Sequence, residues 1–158
     1  MSAVRYGMHP TALKVQERLA ALGLEVRVQV LSDSTRTAAA AAGAVGCEIG
    51  QIVKSLVFVV DGDPTMCLCA GDRRVDTARL GAGARPASPD EVREATGFSI
   101  GGVPPLGHER ELATVVDESL RRFEAVWCAA GTPHAVFEAP LAELLAALPH
   151  AEVRNVSA

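Results

Sequence analysis

Lys54 stands inside the apolar run Ile52-Val53-Lys54-Ser55-Leu56-Val57-Phe58-Val59-Val60, and with Lys14 it is one of two lysines among the 15 basic residues of a 158-residue chain. Everywhere else a surface cation is needed, this sequence uses arginine. An ammonium at the head of a core strand is costly unless it meets an anion or several acceptors, and its compact charge suits a phosphate or a developing oxyanion. The competing account is a strand-end lysine whose head reaches back to water.

A second stretch able to do chemistry is Gly101-Gly102-Val103-Pro104-Pro105-Leu106-Gly107-His108. Glycine lets the main chain approach a ligand with no side chain between them, and proline stiffens the segment. It is expected to be kinked and backbone-exposed, offering main-chain donors to an oxyanion or serving only as a rigid connection. It is not a phosphate-binding loop, having no Walker lysine and no strand-to-helix passage. The turn Gly131-Thr132-Pro133-His134 brings His134 out at a strand end, where a histidine is either structural or catalytic, and His108 stands alike. His9 and His150 read as solvated. There is no Gly-x-Ser-x-Gly elbow and no His-Glu-x-x-His pair, so a serine triad or a zincin site is not expected. Cys47, Cys67, Cys69 and Cys128 lack ligand spacing and read as reduced core thiols, so no metal and no cofactor is expected.

The elements that must position these residues follow from the pattern. Pro10, Leu13, Leu19 and Leu22 mark a helix closed by Gly23. Val26, Val28 and Val30 alternate as a half-buried strand. Ser34 to Thr37 offers a hydroxyl cap to a short alanine helix, Ala38 to Ala42, stopping near Gly43. Ser55 to Val60 and Thr65 to Ala70 form a hairpin at the sheet centre, across Asp61-Gly62-Asp63-Pro64, a loop longer than the minimal two residues. Ser88-Pro89-Asp90-Glu91 is a capping box opening a helix to Thr96 that Gly97 ends. A strand at Ala113 to Val116, a helical stretch around Glu118 to Arg122, a hairpin from Ala125 to Glu138 and a helix from Pro140 to about Leu148 complete the chain. Strands and helices mix without βαβ alternation. The class is therefore α+β: a single domain over residues 1–158 with a mixed, mainly antiparallel sheet or a partly closed barrel flanked by helices.

The chain is long enough for one core and too short for two. No segment approaches the apolar length of a membrane span and the N-terminus does not read as a signal peptide, so the expectation is a cytoplasmic protein that does not engage membranes. A net charge of −4 argues against gripping long nucleic acid, although contact with a short terminus stays open. Arg73, Arg74, Arg79 and Arg85 form the densest basic stretch, either a solvated face or a local phosphate patch.

Three stretches together resemble the YbaK/prolyl-tRNA synthetase-associated editing domain family, in its free-standing, ProX/EbsC-like branch. They are Thr37 to Gly43 through Gly50-Gln51-Ile52-Val53-Lys54-Ser55 to Phe58; Gly71-Asp72-Arg73-Arg74-Val75-Asp76 through Ser88-Pro89-Asp90-Glu91 to Gly107; and Trp127-Cys128-Ala129-Ala130-Gly131-Thr132-Pro133-His134 to Phe137. They occur in the family's order. The resemblance implies hydrolysis, in trans, of the ester between a wrongly attached amino acid and the 3′ end of tRNA. The expected substrate is tRNA-Pro carrying alanine or another small residue such as serine, threonine or cysteine. The turn at 131–134 lacks the Gly-Gly-Lys-Arg type of the Cys-specific branch, which disfavours cysteine. By the same resemblance Lys54, Gly101 and Gly102 are the catalytic candidates, and Thr37, Ser55, Gly131, His134, Arg73 and Arg74 the substrate-binding ones. The partners implied are the acceptor end of aminoacyl-tRNA and a prolyl-tRNA synthetase, with the protein a monomer or weak homodimer. An aminoacyl ester is reactive in itself, so its hydrolysis needs positioning more than a strong protein nucleophile. The rival readings are a non-catalytic module that binds a tRNA 3′ end or nucleotide, and a synthetase-recruited interaction domain.

Overall fold

The computed structural model describes residues 9–32 and 37–158. Helix α1 (Pro10–Ala21) starts with proline at its first position and takes its N-cap from His9, whose Nδ1 accepts from the Thr11 N–H at 3.1 Å. His9 is thus a cap rather than an idle solvated side chain. Strand β1 is only Gln29–Val30. The Val28 N–H is already bound to Gln16 Oε1 at 2.8 Å, so the alternating valines join the sheet only at their end. Helix α2 (Ala38–Val45) runs through Gly43 and stops at Gly46, whose left-handed backbone (φ 76°) closes it. Thr37 is its N-cap, accepting from the Ala40 N–H at 3.1 Å. Ser34 to Arg36, also expected at this cap, lie outside the described residues.

Strands β2 (Val53–Val60) and β3 (Asp63–Ala70) pair antiparallel across Asp61-Gly62. Both turn residues have positive φ (51° and 82°), so the connection is the minimal two-residue hairpin and not the longer loop expected. Pro64 suggested the longer loop, but it pairs with Val59, and the parallel neighbour of β3 begins one residue later, opposite Thr65. A proline without an N–H is tolerated there. Short helix α3 (Thr77–Leu80) and strand β4 (Arg85–Pro86) lead to α4 (Pro89–Thr96), where both halves of the Ser88/Glu91 capping box form and Gly97 (φ 83°) ends the helix. Strand β5 (Ala113–Asp117), a 3-10 turn (Glu118–Arg122), hairpin β6 (Ala125–Ala129) and β7 (Ala135–Pro140), α5 (Leu141–Ala146) and β8 (Glu152–Arg154) follow.

The strands form two sheets, β4-β2-β3-β5-β8 and β1-β7-β6, with β3 at the centre of the larger. Four pairings are antiparallel, while β3–β5 and β5–β8 are parallel. The fold is therefore α+β with mixed sheets and no closed barrel; a single bridge, Ile52 to Trp127, ties the sheets together. The main core, with Leu19, Met66, Leu68, Leu120, Phe137 and Leu144 fully buried, fills the space beneath both sheets. A smaller cluster of Ala41, Ala42, Ile52, Trp127 and Val136 seats α2 on the other side. Among the described residues no helix is long and apolar enough to cross a membrane.

Candidate active site

Beyond the Ile52–Trp127 bridge β2 and β6 part, and the gap between them is a cavity of about 430 Å³. Its roof is α2, through Ala38, Ala41 and Val45, spaced to share one helix face. One wall is Ile52 and β2 from Val53 to Phe58; the facing wall carries Trp127, Cys128, Ala129 and Val136; Pro86, Ala87, Val92 and the loop residues Ile100, Gly101 and Val103 close the rest. Among the described residues, Lys54 is the only charged side chain in this lining and Ser55 the only hydroxyl.

Successive residues of a strand face opposite sides, so Lys54 lies on the face of Leu56 and Phe58, and Ser55 on that of Val53 and Val57. Both reach the cavity because it opens along the edge of β2. Strand β4 covers that edge only at Phe58 and Val59, and the Ala87 N–H donates to the Val57 carbonyl at 3.0 Å. Main-chain groups alternate along a strand, so the N–H and C=O of Ser55 point the same way as that carbonyl, into the cleft. Lys54 is half-buried as a residue, and its ammonium donates to the Arg73 carbonyl in the loop after β3, in a bond exposed to solvent. Opposite it, the Ser55 Oγ is buried with no hydrogen-bond partner among the described residues. Cys128 also lines the cavity, but burial alone pushes its thiol far above the ordinary range, so it supplies no thiolate near neutrality. Among the described residues no three histidine, cysteine or acidic side chains converge as a metal centre would require.

The loop expected to be backbone-exposed is mostly interior. Gly102 to Leu106 are buried, and His108 bonds the Pro104 carbonyl at 2.7 Å and meets Phe98 edge to face. Burial lowers the His108 pKa, which fits a neutral, structural imidazole. Gly101, at φ 93°, lines the cavity. Gly102 does not. Its N–H donates to Ser99 and its C=O accepts from Gly131, at 3.0 and 2.8 Å, so its one main-chain donor is not left for a ligand. Gly102, Gly131 and the exposed His134 line a second concavity of about 620 Å³ on the far side of this wall. Thr37 is exposed and acts through the helix that it caps.

Arg73 and Arg74 are exposed and make no ion pair among the described residues, whereas the other two arginines of the basic stretch are engaged within the fold. Arg79 holds Asn155 Oδ1 and the Ser157 carbonyl (3.1 and 2.8 Å), and Arg85 grips Glu91 with two 2.8 Å bonds. The Arg85 guanidinium holds the Glu91 carboxyl down at about 2. Of the catalytic candidates Lys54, Gly101 and Gly102, the first two therefore meet in this lining, together with the substrate-binding candidate Ser55, while Gly102 does not; in the basic stretch read as a solvated face or a phosphate patch, Arg79 and Arg85 are engaged within the fold. The sequence did not single out the apolar lining: Ala38 and Ala41 lay within the expected alanine helix, Val45 lay beyond its expected end, and Trp127 joins them only through the sheet-to-sheet bridge.

With this geometry in view, residues 32–147 match the model of the aminoacyl-tRNA editing domain. Protein YwhH of Bacillus subtilis, uncharacterized, is 37% identical over 116 residues, covering 70% of this chain and 74% of that one. The Escherichia coli K12 multifunctional Ser/Thr-tRNA deacylase ProXp-y is 34% identical over 96 residues, 54% of this chain and 58% of that protein. A solved structure described as a candidate trans-editing enzyme for prolyl tRNA synthetase superposes with a TM-score of 0.88 at 47% identity, covering 96% of this chain and 99% of that chain.

Proposed function

Because this chain belongs to the aminoacyl-tRNA editing domain family, we propose that it is a trans-acting deacylase that hydrolyses the ester joining a small, wrongly attached amino acid to the 3′ end of tRNA, tRNA-Pro in the first place. The observation that carries this is the convergence of Lys54, Ser55 and the Gly101 main chain on one otherwise apolar cavity. A non-catalytic interaction domain has no use for a lysine fixed at the mouth of such a space.

In this mechanism a water, oriented by a hydroxyl of the substrate itself, attacks the ester carbonyl; the bond between the acyl carbon and the ribose oxygen then breaks, the ribose oxygen takes up the proton that the water gives up, and the free amino acid leaves. Lys54 holds a ribose or phosphate oxygen of the terminal adenosine. The main chain of Gly101 and Ser55 orients the aminoacyl group. No protein nucleophile is required, because bringing water and ester together in a fixed geometry supplies most of the gain. Selection is by volume: one methylene is worth only ~1–3 kcal/mol in an apolar pocket, so a larger residue is rejected better by clash against α2 than a smaller one is gathered by attraction. Alanine suits the apolar lining, and serine or threonine would offer a hydroxyl to Ser55. The likeness to a Ser/Thr-tRNA deacylase supports testing those two alongside alanine. Arg73 and Arg74, exposed beside the carbonyl that holds Lys54, are positioned to meet the phosphates of the acceptor end.

The test is deacylation of a panel of charged tRNAs, with Ala-, Ser-, Thr-, Cys- and Pro-tRNA-Pro as the core set. The expected result is rapid hydrolysis of at least one small-residue ester and none of the prolyl ester. Tight binding of the 3′ end without hydrolysis of any member would favour the non-catalytic module.

A further inference from the structure

We infer that the C-terminal segment 155–158 is a positioning element for Lys54, acting through the loop that carries Arg73 and Arg74; this rests on the role proposed for Lys54 above. The Lys54 side chain has four rotatable bonds, and what fixes its ammonium is the carbonyl of Arg73. That carbonyl sits in an exposed loop, and the back of the loop is held by the tail. The Ala158 N–H donates to the Arg74 carbonyl at 2.9 Å, Val75 and Ser157 form an antiparallel bridge, and the Asp76 N–H donates to the Val156 carbonyl at 2.8 Å.

The tail is fixed in turn to the centre of the fold. Asp117, at the end of β5 and 1% exposed, accepts from the Val156 N–H and the Ser157 Oγ, both at 2.8 Å. Arg79 clasps the Ser157 carbonyl and the Asn155 side chain from the other side. Three hydrogen bonds joined by short stretches of main chain thus lead from Asp117 through Ser157 and Ala158 to Arg74, Arg73 and Lys54. The front of the loop has its own anchor, the Asp72 carboxylate on Arg122 at 2.7 and 2.9 Å. Loosening the tail therefore leaves the loop attached at Asp72 and freed at Arg74.

Two substitutions loosen the tail gently. Ala158→Pro removes the N–H that holds Arg74 at an exposed position, and Ser157→Ala removes one donor to Asp117. With lysine labelled in the ε position, the protein gives two NMR signals, from Lys14 and Lys54, the first serving as internal reference. In both variants the Lys54 signal is expected to move and the Lys14 signal to stay, while single-turnover deacylation falls about tenfold. In a Lys54→Ala background the same changes should cost nothing further in the rate at saturating enzyme, where the contacts of Arg73 and Arg74 affect only binding. An unmoved Lys54 signal in both folded variants, or a full additional loss in the Lys54→Ala background, overturns the inference. A Lys54→Ala protein with unchanged rate overturns instead the role of Lys54, and the NMR result still decides whether the tail holds it.

Discussion

Gly102 and Gly131 touch main chain to main chain: the Gly131 N–H donates to the Gly102 carbonyl at 2.8 Å, and a Cβ on Gly102 would lie 2.7 Å from the Gly131 carbonyl oxygen. This contact joins the 101–107 loop to the last hairpin and forms the wall between the two concavities.

Gly102→Ala is therefore expected to disturb the fold first, costing about 1–3 kcal/mol through overpacking against backbone that cannot yield. Gly101→Ala, at φ 93°, should cost about 1–2 kcal/mol and also project a methyl beside the cavity. Melting curves and rates per folded molecule separate the two. Gly101→Ala should lose more rate than stability and Gly102→Ala the reverse, and a Gly101→Ala protein with normal rate would remove Gly101 from the site.

Lys54→Ala should fold and lose deacylation by about a hundredfold, the usual scale for one charge-stabilising donor. Lys54→Arg should recover only part of it, since a planar fork does not fit where a compact ammonium sits. Circular dichroism and single-turnover kinetics are the measurements, and equal rates for lysine and alanine would dismiss the proposed mechanism.

Ser55→Ala should move stability and activity in opposite directions. A buried hydroxyl without a partner costs the fold about 1–3 kcal/mol, which the methyl relieves. If the hydroxyl serves the substrate, the melting temperature rises while the rate falls; a rise in both would leave Ser55 with no part in the reaction.

The pH dependence of stability should carry the signature of Asp117. Burial raises its pKa, but hydrogen bonds from Ser119, Val156 and Ser157 outweigh this, and the net shift is downward. A carboxylate with a lowered folded pKa contributes stability above its unfolded value near ~4, and the contribution is lost as the pH falls through the folded value. Asp117→Asn should thus be less stable than wild type by about 2 kcal/mol at neutral pH, with the gap narrowing below pH ~4. Urea titrations at pH 7 and pH 3 measure it; a gap that widens in acid would contradict the assignment.

Charge reversal at Arg73 and Arg74 should raise the substrate concentration needed for half-maximal rate and leave the bound-state rate unchanged. Reversal at Arg79 should instead destabilise the protein, because that guanidinium secures the tail. With Arg73 and Arg74 as the exposed arginines without an ion pair beside the site among the described residues, and Lys54 within it, log affinity should fall with log salt at a slope of about −2 to −3, and a slope of about −6 or steeper would require a basic face elsewhere.

The parts of the fold readable from sequence were those written in local chemistry: the Ser88/Glu91 box, the proline opening α1, the left-handed glycine after α4 and the Gly131-Thr132-Pro133-His134 turn that sets β6 beside β7. Features decided by distant partners were not. Val28 is strand-like in pattern, yet its N–H goes to Gln16. Strand β8 is a short edge with charged residues on either side of Val153, and its partner Asp117 is far away in sequence. At the site, Lys54 stood out because lysine is scarce here, whereas Gly102 shared the signature of Gly101 and only the approach of Gly131 tells them apart.

The roof over the cavity is an alanine helix, and its consequence reaches beyond this one chain. Ala38 and Ala41 carry none of the proposed chemistry, yet their methyl groups set how high the ceiling stands over Lys54 and Ser55. A valine or leucine at either place would lower that ceiling while leaving the working groups in position. Under the selection by volume proposed above, the amino acid admitted would drift by single substitutions on one helix face, with Lys54 and Ser55 left as they are.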